Sequence, residues 1–437
     1  MPGCKGRMSL QSRANCLLEG RFRAALAALL LLMLAASRAA PSPDGEADPL
    51  FPGTASPSEL LEFYAYPGMP TSFSARLLET ADRYLLYMVT WQSWVRTPYP
   101  ADNRVSAYYY QPRRSGKVPA VVVLHSYGTR TAEVERDLSA HLAGRGIACI
   151  LPYLPYHGPR TPADYISGKL FITGDVAHTL QSVRQAIVDI RSAADWLQSR
   201  PEVDPERIGI VGVSLGGILV NLAMGVDERF ASGVAVLGGG EVADIIWKSA
   251  ILGSVRRELE GRGVTLRELR RRLRVIEPLT YAQFNRPRRV LMINGRYDIV
   301  VPPFATRAMW HALGEPPIIW LGIGHYGTVL VPSQVMNVAG AYLLNHFGER
   351  SGPLPKLHAY TVKLGVFMDE GKGLSAGVGL AVAEPARNTS LDLSLTTQGV
   401  LLGASYMVRH STELGVGVKL GEGDLTARPY LAVVLVL

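Results

Sequence analysis

A serine, an aspartate and a histidine occur in this chain in an order and setting that could divide nucleophilic catalysis among them. The run Arg207-Ile-Gly-Ile-Val-Gly-Val213 is strand-like and leads directly into Ser214-Leu-Gly-Gly217 and then a helical pattern. Ser214 therefore falls on a strand-to-helix turn, where Gly212 and Gly216 let the two elements approach without side-chain clash. That turn holds the hydroxyl out of the sheet, at a helix N-terminus that favours developing negative charge. Asp298 follows the apolar run 290–293 in Asn294-Gly-Arg-Tyr-Asp298, and His325 follows the run 318–321 in Gly322-Ile-Gly-His325. The chemistry needs these three types: the histidine removes the serine proton during attack on a carbonyl, and the aspartate fixes the histidine tautomer and stabilises the imidazolium. Glu241 and Asp244, after Gly238-Gly-Gly240 at another strand end, are the rival acids.

The order strand, Gly212-Val213-Ser214-Leu215-Gly216, helix, with an acid and then a histidine downstream, resembles the α/β-hydrolase superfamily. The resemblance implies an α/β-hydrolase fold, a mostly parallel sheet flanked by helices. It also implies an oxyanion hole made of two backbone N–H groups, the first from Leu215. The second is expected from His125-Ser-Tyr-Gly128, which is similar to the superfamily's His-Gly loop with serine where glycine is usual, so Ser126 or Tyr127 is the donor. His125 is read as a brace for that loop rather than a base. The loop 152–162 resembles one in dienelactone hydrolase, acetyl xylan esterase and prolyl oligopeptidase-like branches, which makes Tyr153, Tyr156, His157 and Arg160 pocket candidates. The implied activity is hydrolysis of a small-molecule or polymer-borne carboxylic ester through an acyl-enzyme on Ser214. A peptidase or amidase would use the same triad. A reading of another class is an outer-membrane β-barrel or adhesion protein carrying an inactive hydrolase domain. No His, Asp or Glu cluster has metal-ligand spacing, so neither metal nor cofactor is expected.

The elements that must position these residues alternate between strand-like and helix-like segments over residues 58–350, the pattern of one large α/β catalytic domain. Buried strands are expected at 120–124, 147–151, 208–213, 233–237, 290–293 and 318–321, and helices at 132–143, 176–199, 215–224, 304–313 and 332–347. In the second helix Leu180, Val183, Ile187, Ile190, Ala194 and Leu197 recur at three- and four-residue spacing, so one face packs on the sheet. Residues 105–110 are expected to form an antiparallel edge strand. The arginine-rich stretch 241–281 falls between two core strands and reads as a helical cap, its basic positions forming a solvated helix face.

Both ends of the chain differ from this core. Lys5, Arg7, Arg13, Arg21 and Arg23 precede the apolar run 24–36, which ends in Ser37-Arg-Ala-Ala40. This is a secretory signal pattern over 1–39, followed by a Pro-, Gly- and Ser-rich linker over 40–57, so the chain is expected to be exported; Met8 is an alternative start. Without that leader 39 basic and 36 acidic residues remain, so the charge falls from +8 to +3 and carries no nucleic-acid signature. Cys149 is then the only cysteine left, in an apolar run that marks it as core. Beyond Pro355, Leu374, Ala376, Val378, Leu380 and Val382 alternate with small residues, and Leu414, Val416, Val418 and Leu420 repeat the pattern. Period two across several segments predicts a separate antiparallel β module over 356–437 without helices. About six strands fall below the usual ~8 of a single-chain membrane barrel, so a soluble module is favoured, with outer-membrane association as the alternative.

Overall fold

The structure is a computed structural model and describes residues 56–437, apart from 70–71, 286–288, 331, 358–361, 370–372, 384–388, 398, 410–411, 421–426 and 437. The leader and nearly all of the linker lie outside the described residues. The first described element is the helix Pro57–Leu61, capped by Ser56, whose own N–H donates to the Glu59 carboxylate.

Nine strands form one mixed sheet in the order β1-β2-β3-β5-β4-β6-β7-β8-β9. They are β1 Ser74–Thr80, β2 Tyr84–Gln92, β3 Arg104–Pro112, β4 Val118–Leu124, β5 Ala148–Pro152, β6 Val203–Val213, β7 Phe230–Val236, β8 Arg289–Gly295 and β9 Ile318–Leu321. From β5 through β9 all neighbours are parallel, whereas β1, β2 and β3 are antiparallel. The segment 105–110 is thus a strand but not an edge, since β2 and β1 lie outside it. β4 is buried along its whole length, as a parallel strand covered on both faces must be.

Helices cover the sheet at the expected places: Glu133–Ala143, Val176–Gln198, Leu215–Val226, Pro303–Ala312 and Pro332–His346. Asp175 caps the second of these by accepting from the His178 N–H at 3.1 Å, and its apolar stripe is buried. Cys149 is fully buried and its thiol pKa is pushed well up by desolvation, which leaves it inert.

Residues 241–281 are helical, with helices Val242–Lys248, Gly253–Gly261, Leu266–Arg272 and Pro278–Asn285. Several of their basic side chains are paired locally. Arg256 meets Glu260, Arg271 and Arg272 meet Glu268, and Arg270 makes a two-pronged bond to Asp244.

The C-terminal module is a closed six-stranded antiparallel barrel, β10 Val362–Asp369, β11 Gly373–Ala383, β12 Thr389–Thr396, β13 Gly399–Arg409, β14 Thr412–Leu420 and β15 Ala427–Val436. Its outer face is apolar and its charges lie within. Lys363, Asp392 and Glu413 point inward and are at most 3% exposed, while Leu402, Val416 and Val433 point outward at about half exposure. Tyr297 joins the buried cluster of Phe367, Leu401, Tyr430, Ala432, Val434 and Val436, so the loop leading to Asp298 touches the barrel.

Candidate active site

The carboxyl ends of β6, β8 and β9 converge on one rim of the sheet, where ligands bind in open α/β folds. β6 ends at Val213, and Ser214 follows with φ 57° and ψ −114°, a backbone conformation costly for a non-glycine residue and held only by its surroundings. The Ser214 N–H donates to the Val236 carbonyl at 2.8 Å. The flanking glycines are required by space. A Cβ at Gly216 would stand 2.3 Å from the Leu124 carbonyl oxygen, and one at Gly212 2.5 Å from the Gly216 backbone.

Ser214 Oγ lies 2.8 Å from His325 Nε2, and His325 Nδ1 lies 2.7 Å from Asp298 Oδ2. A carboxylate oxygen accepts, so Nδ1 carries the proton and Nε2 is left as the acceptor for the serine hydroxyl. Asp298 is held by two further bonds, from the Val300 and Val301 N–H groups to Oδ1 at 2.8 Å each. All three side chains are buried, Asp298 almost completely and Ser214 and His325 just accessible at 7% and 9%. The acid loop is stitched to the histidine loop by Arg296 N–H to the Leu321 carbonyl and Tyr297 N–H to the Ile323 carbonyl.

The rival acids are engaged elsewhere. Asp244 is taken by Arg270 and Lys248, and Glu241 sits at the start of the helix Val242–Lys248 with a left-handed backbone. The partly buried Glu277 carboxylate accepts the N–H groups of Glu241 and Val242, a capping role its sequence setting does not reveal.

The loop after β4 treats Ser126 and Tyr127 differently. The Ser126 N–H and hydroxyl both donate to Glu135 Oε1, at 3.0 and 2.8 Å, so Ser126 is not a free donor. Tyr127 N–H and Leu215 N–H have no acceptor among the described residues. Glu135 is itself buried, which raises its carboxyl pKa. It was missed because its partner lies nine residues away across a loop. His125 braces the loop as expected. Its Nδ1 bonds the Ser126 carbonyl and its Nε2 accepts from the Leu154 N–H, and burial lowers its pKa to about 4, keeping it neutral.

The four pocket candidates are corrected by burial. Tyr153, Tyr156, His157 and Arg160 are each no more than 4% exposed. Arg160 is locked in a buried ion pair with Asp189 at 2.8 Å and Asp102 at 3.3 Å, and donates to the Tyr153 carbonyl. Tyr156 N–H donates to Asp102 Oδ1. His157 bonds the Pro155 carbonyl and packs against His125, Tyr127 and Phe171. These side chains fasten the loops around the site instead of facing a ligand, because an ionised guanidinium in the interior must be paired.

Comparison with known proteins agrees with this geometry. Residues 179–316 match the prolyl oligopeptidase family and residues 85–237 match the acetyl xylan esterase family. An uncharacterised protein of Mycobacterium tuberculosis is 30% identical over 252 residues, 54% of this chain and 55% of that one. The chain thus spans about half the length of the curated relative it matches. The solved structure of an acetyl xylan esterase from Paenibacillus sp. R4 superposes with a TM-score of 0.52 at 22% identity, covering 65% of this chain and 92% of that one. Both family matches take in Ser214 and its strand-to-helix turn, and this chain belongs to the α/β-hydrolase superfamily.

Proposed function

We propose that this protein is an exported serine hydrolase that cleaves carboxylic esters through an acyl-enzyme on Ser214. The observation that carries the reading is the continuous bond chain Ser214 Oγ, His325 Nε2, His325 Nδ1, Asp298 Oδ2, with steps of 2.8 and 2.7 Å. His325 takes the serine proton as Oγ attacks the ester carbon, and the carbonyl oxygen becomes an oxyanion facing the Leu215 and Tyr127 N–H groups. Collapse breaks the ester C–O bond, and the departing alcohol takes the proton from His325. Water then repeats the sequence: it loses a proton to His325, attacks the acyl carbon, and the carboxylic acid leaves as Ser214 regains its proton. Asp298 remains ionised throughout.

Ester cleavage is favoured by the acetyl xylan esterase match over 85–237 and the fold shared with such an esterase. Amide cleavage is the second reading, favoured by the prolyl oligopeptidase match over 179–316. A panel of p-nitrophenyl esters of rising chain length, beside aminoacyl p-nitroanilides, decides between them. Turnover of short esters with negligible anilide cleavage is expected, and the reverse ranking makes the protein a peptidase. Export rests on the basic lead and the apolar run 24–36 ending in small residues. A mature mass beginning near residue 40 is expected, and one that retains 24–36 contradicts cleavage.

A further inference from the structure

We propose that the C-terminal barrel, β10 to β15, is embedded in a lipid bilayer and holds the hydrolase at a membrane face. The inference rests on which way the side chains point and is independent of the reading of the active site. A small water-soluble barrel fills its interior with apolar side chains and presents polar ones to solvent. This one is apolar on its outer face as well, and it keeps its charges inside beside the buried Phe367, Leu401, Tyr430, Ala432, Val434 and Val436. Val366, Val378, Leu393, Leu402, Val416 and Val433, one from each strand, face outward and are between 39% and 54% exposed. Among the described side chains of the six strands, every charged one, Lys363, Asp392 and Glu413, is inside. There Lys363 Nζ bonds Asp392 at 2.8 Å and Ser390 at 2.7 Å and also pairs with Glu413, while Ser405 donates to Asp392 at 2.6 Å.

The distribution around the barrel selects the occupant. A protein partner or a second copy would cover one side and leave water-facing polar residues on the other, yet the apolar side chains occur on all six strands. A surrounding that contacts every strand equally is a solvent, and the solvent that suits apolar side chains is hydrocarbon. Closure supplies the second requirement. β10 pairs with β15, so the ladder has no edge with backbone groups left unpaired in lipid. The strands of 8 to 11 residues are roughly 26–37 Å long and, at ~45° tilt, rise about 19–26 Å, which matches an apolar band of about 25 Å.

Six strands are fewer than membrane barrels ordinarily use, and the lumen shows how this number closes. Inward positions 365, 377, 379, 403, 415 and 417 are glycine, and a Cβ at any of them would stand 2.3–3.1 Å from a neighbouring atom. Tyr430 fills the space over Gly403 and Gly415. The barrel is narrow, and its lumen is occupied by the glycines, by the buried Phe367, Leu401, Tyr430 and Val434 and by one ion cluster, so it is an anchor and not a channel. Because β10 begins beside the end of β15, Lys363 opposite Val436, the hydrolase and the end of β15 lie on the same side of the membrane.

The test uses the full chain purified in detergent and reconstituted into phosphatidylcholine liposomes. Cysteines introduced singly at Val366, Val378, Leu393, Leu402, Val416 and Val433 carry an environment-sensitive fluorophore, and an unchanged far-UV circular dichroism spectrum reports that each variant keeps its barrel. All six are expected to be quenched by spin labels on the lipid acyl chains and shielded from iodide, while a label at the exposed Val134 of the hydrolase shows the reverse. The unlabelled chain is expected to float with the liposomes after alkaline carbonate. Shielding confined to adjacent strands, with concentration-dependent self-association, would assign the surface to a second copy or a protein partner and overturn the proposal. So would recovery of active, monodisperse enzyme in detergent-free buffer.

Discussion

The two β-structures of this protein distribute apolar and charged side chains differently. In the nine-stranded sheet β4 is buried along its length by apolar residues, and reactive groups gather at the rim. In the barrel apolar residues face out as well as in, and the charged ones meet at the centre. On the proposed bilayer placement of the barrel, the difference is one of solvent. A sheet sandwiched by helices in water hides apolar area and spends its few buried charges on fixed loops, as Arg160 does with Asp102 and Asp189. A closed barrel with a greasy exterior must hide its charges, and Lys363 pairs there with both Asp392 and Glu413. Function and anchorage therefore rest on separate side-chain sets, and perturbing one should leave the other intact.

The largest separation is expected for Asp298→Asn, which keeps the loop but loses the charge and favours the wrong tautomer. Stopped assays should show kcat lowered ~10⁴-fold with liposome flotation unchanged. Lys363→Met does the converse. It leaves Asp392 and Glu413 facing each other in the lumen, at a cost of about 3–5 kcal/mol to the barrel. Urea titration of reconstituted protein should register that loss while kcat stays at the wild-type level, and a matching fall in kcat would mean the two regions are coupled, with Tyr297 as the contact to examine.

Within the hydrolase, Glu135→Ala frees the loop that carries Tyr127. It should lower kcat on the order of tenfold with KM little changed, since the loop positions a group used in the transition state. Glu135→Gln, which keeps an acceptor for the Ser126 N–H, should recover most of the rate. The smallest effect is expected for Asp244→Asn and Glu241→Gln, which should keep kcat within the same order of magnitude. If either abolished turnover while Asp298→Asn did not, the acid would belong to the strand before the cap.

What could be read from the sequence was local. The turn at Ser214 shows itself because glycine is needed two residues either side of a strained serine, and the parallel strands because short β-branched runs are bounded by turns. Bonds between distant residues left no such trace. Arg160 looked like a pocket residue because its partners Asp102 and Asp189 are far from it in the chain, and Glu135 went unnoticed for the same reason. β2, whose Tyr and Trp residues sit among apolar ones, displaced 105–110 from the sheet edge. In the barrel, period two established that alternate residues share a face, but the period is the same whether leucines point in or out. Only closure of the six strands decides which.

The most direct test of the central claim is labelling of the intact protein with a fluorophosphonate probe, followed by mass analysis of its peptides. A single adduct is predicted on the peptide carrying Ser214, absent from Ser214→Ala and strongly slowed in His325→Ala, with ester turnover in Ser214→Ala reduced ~10⁶-fold. An adduct on another serine, or turnover in Ser214→Ala within tenfold of wild type, would contradict it.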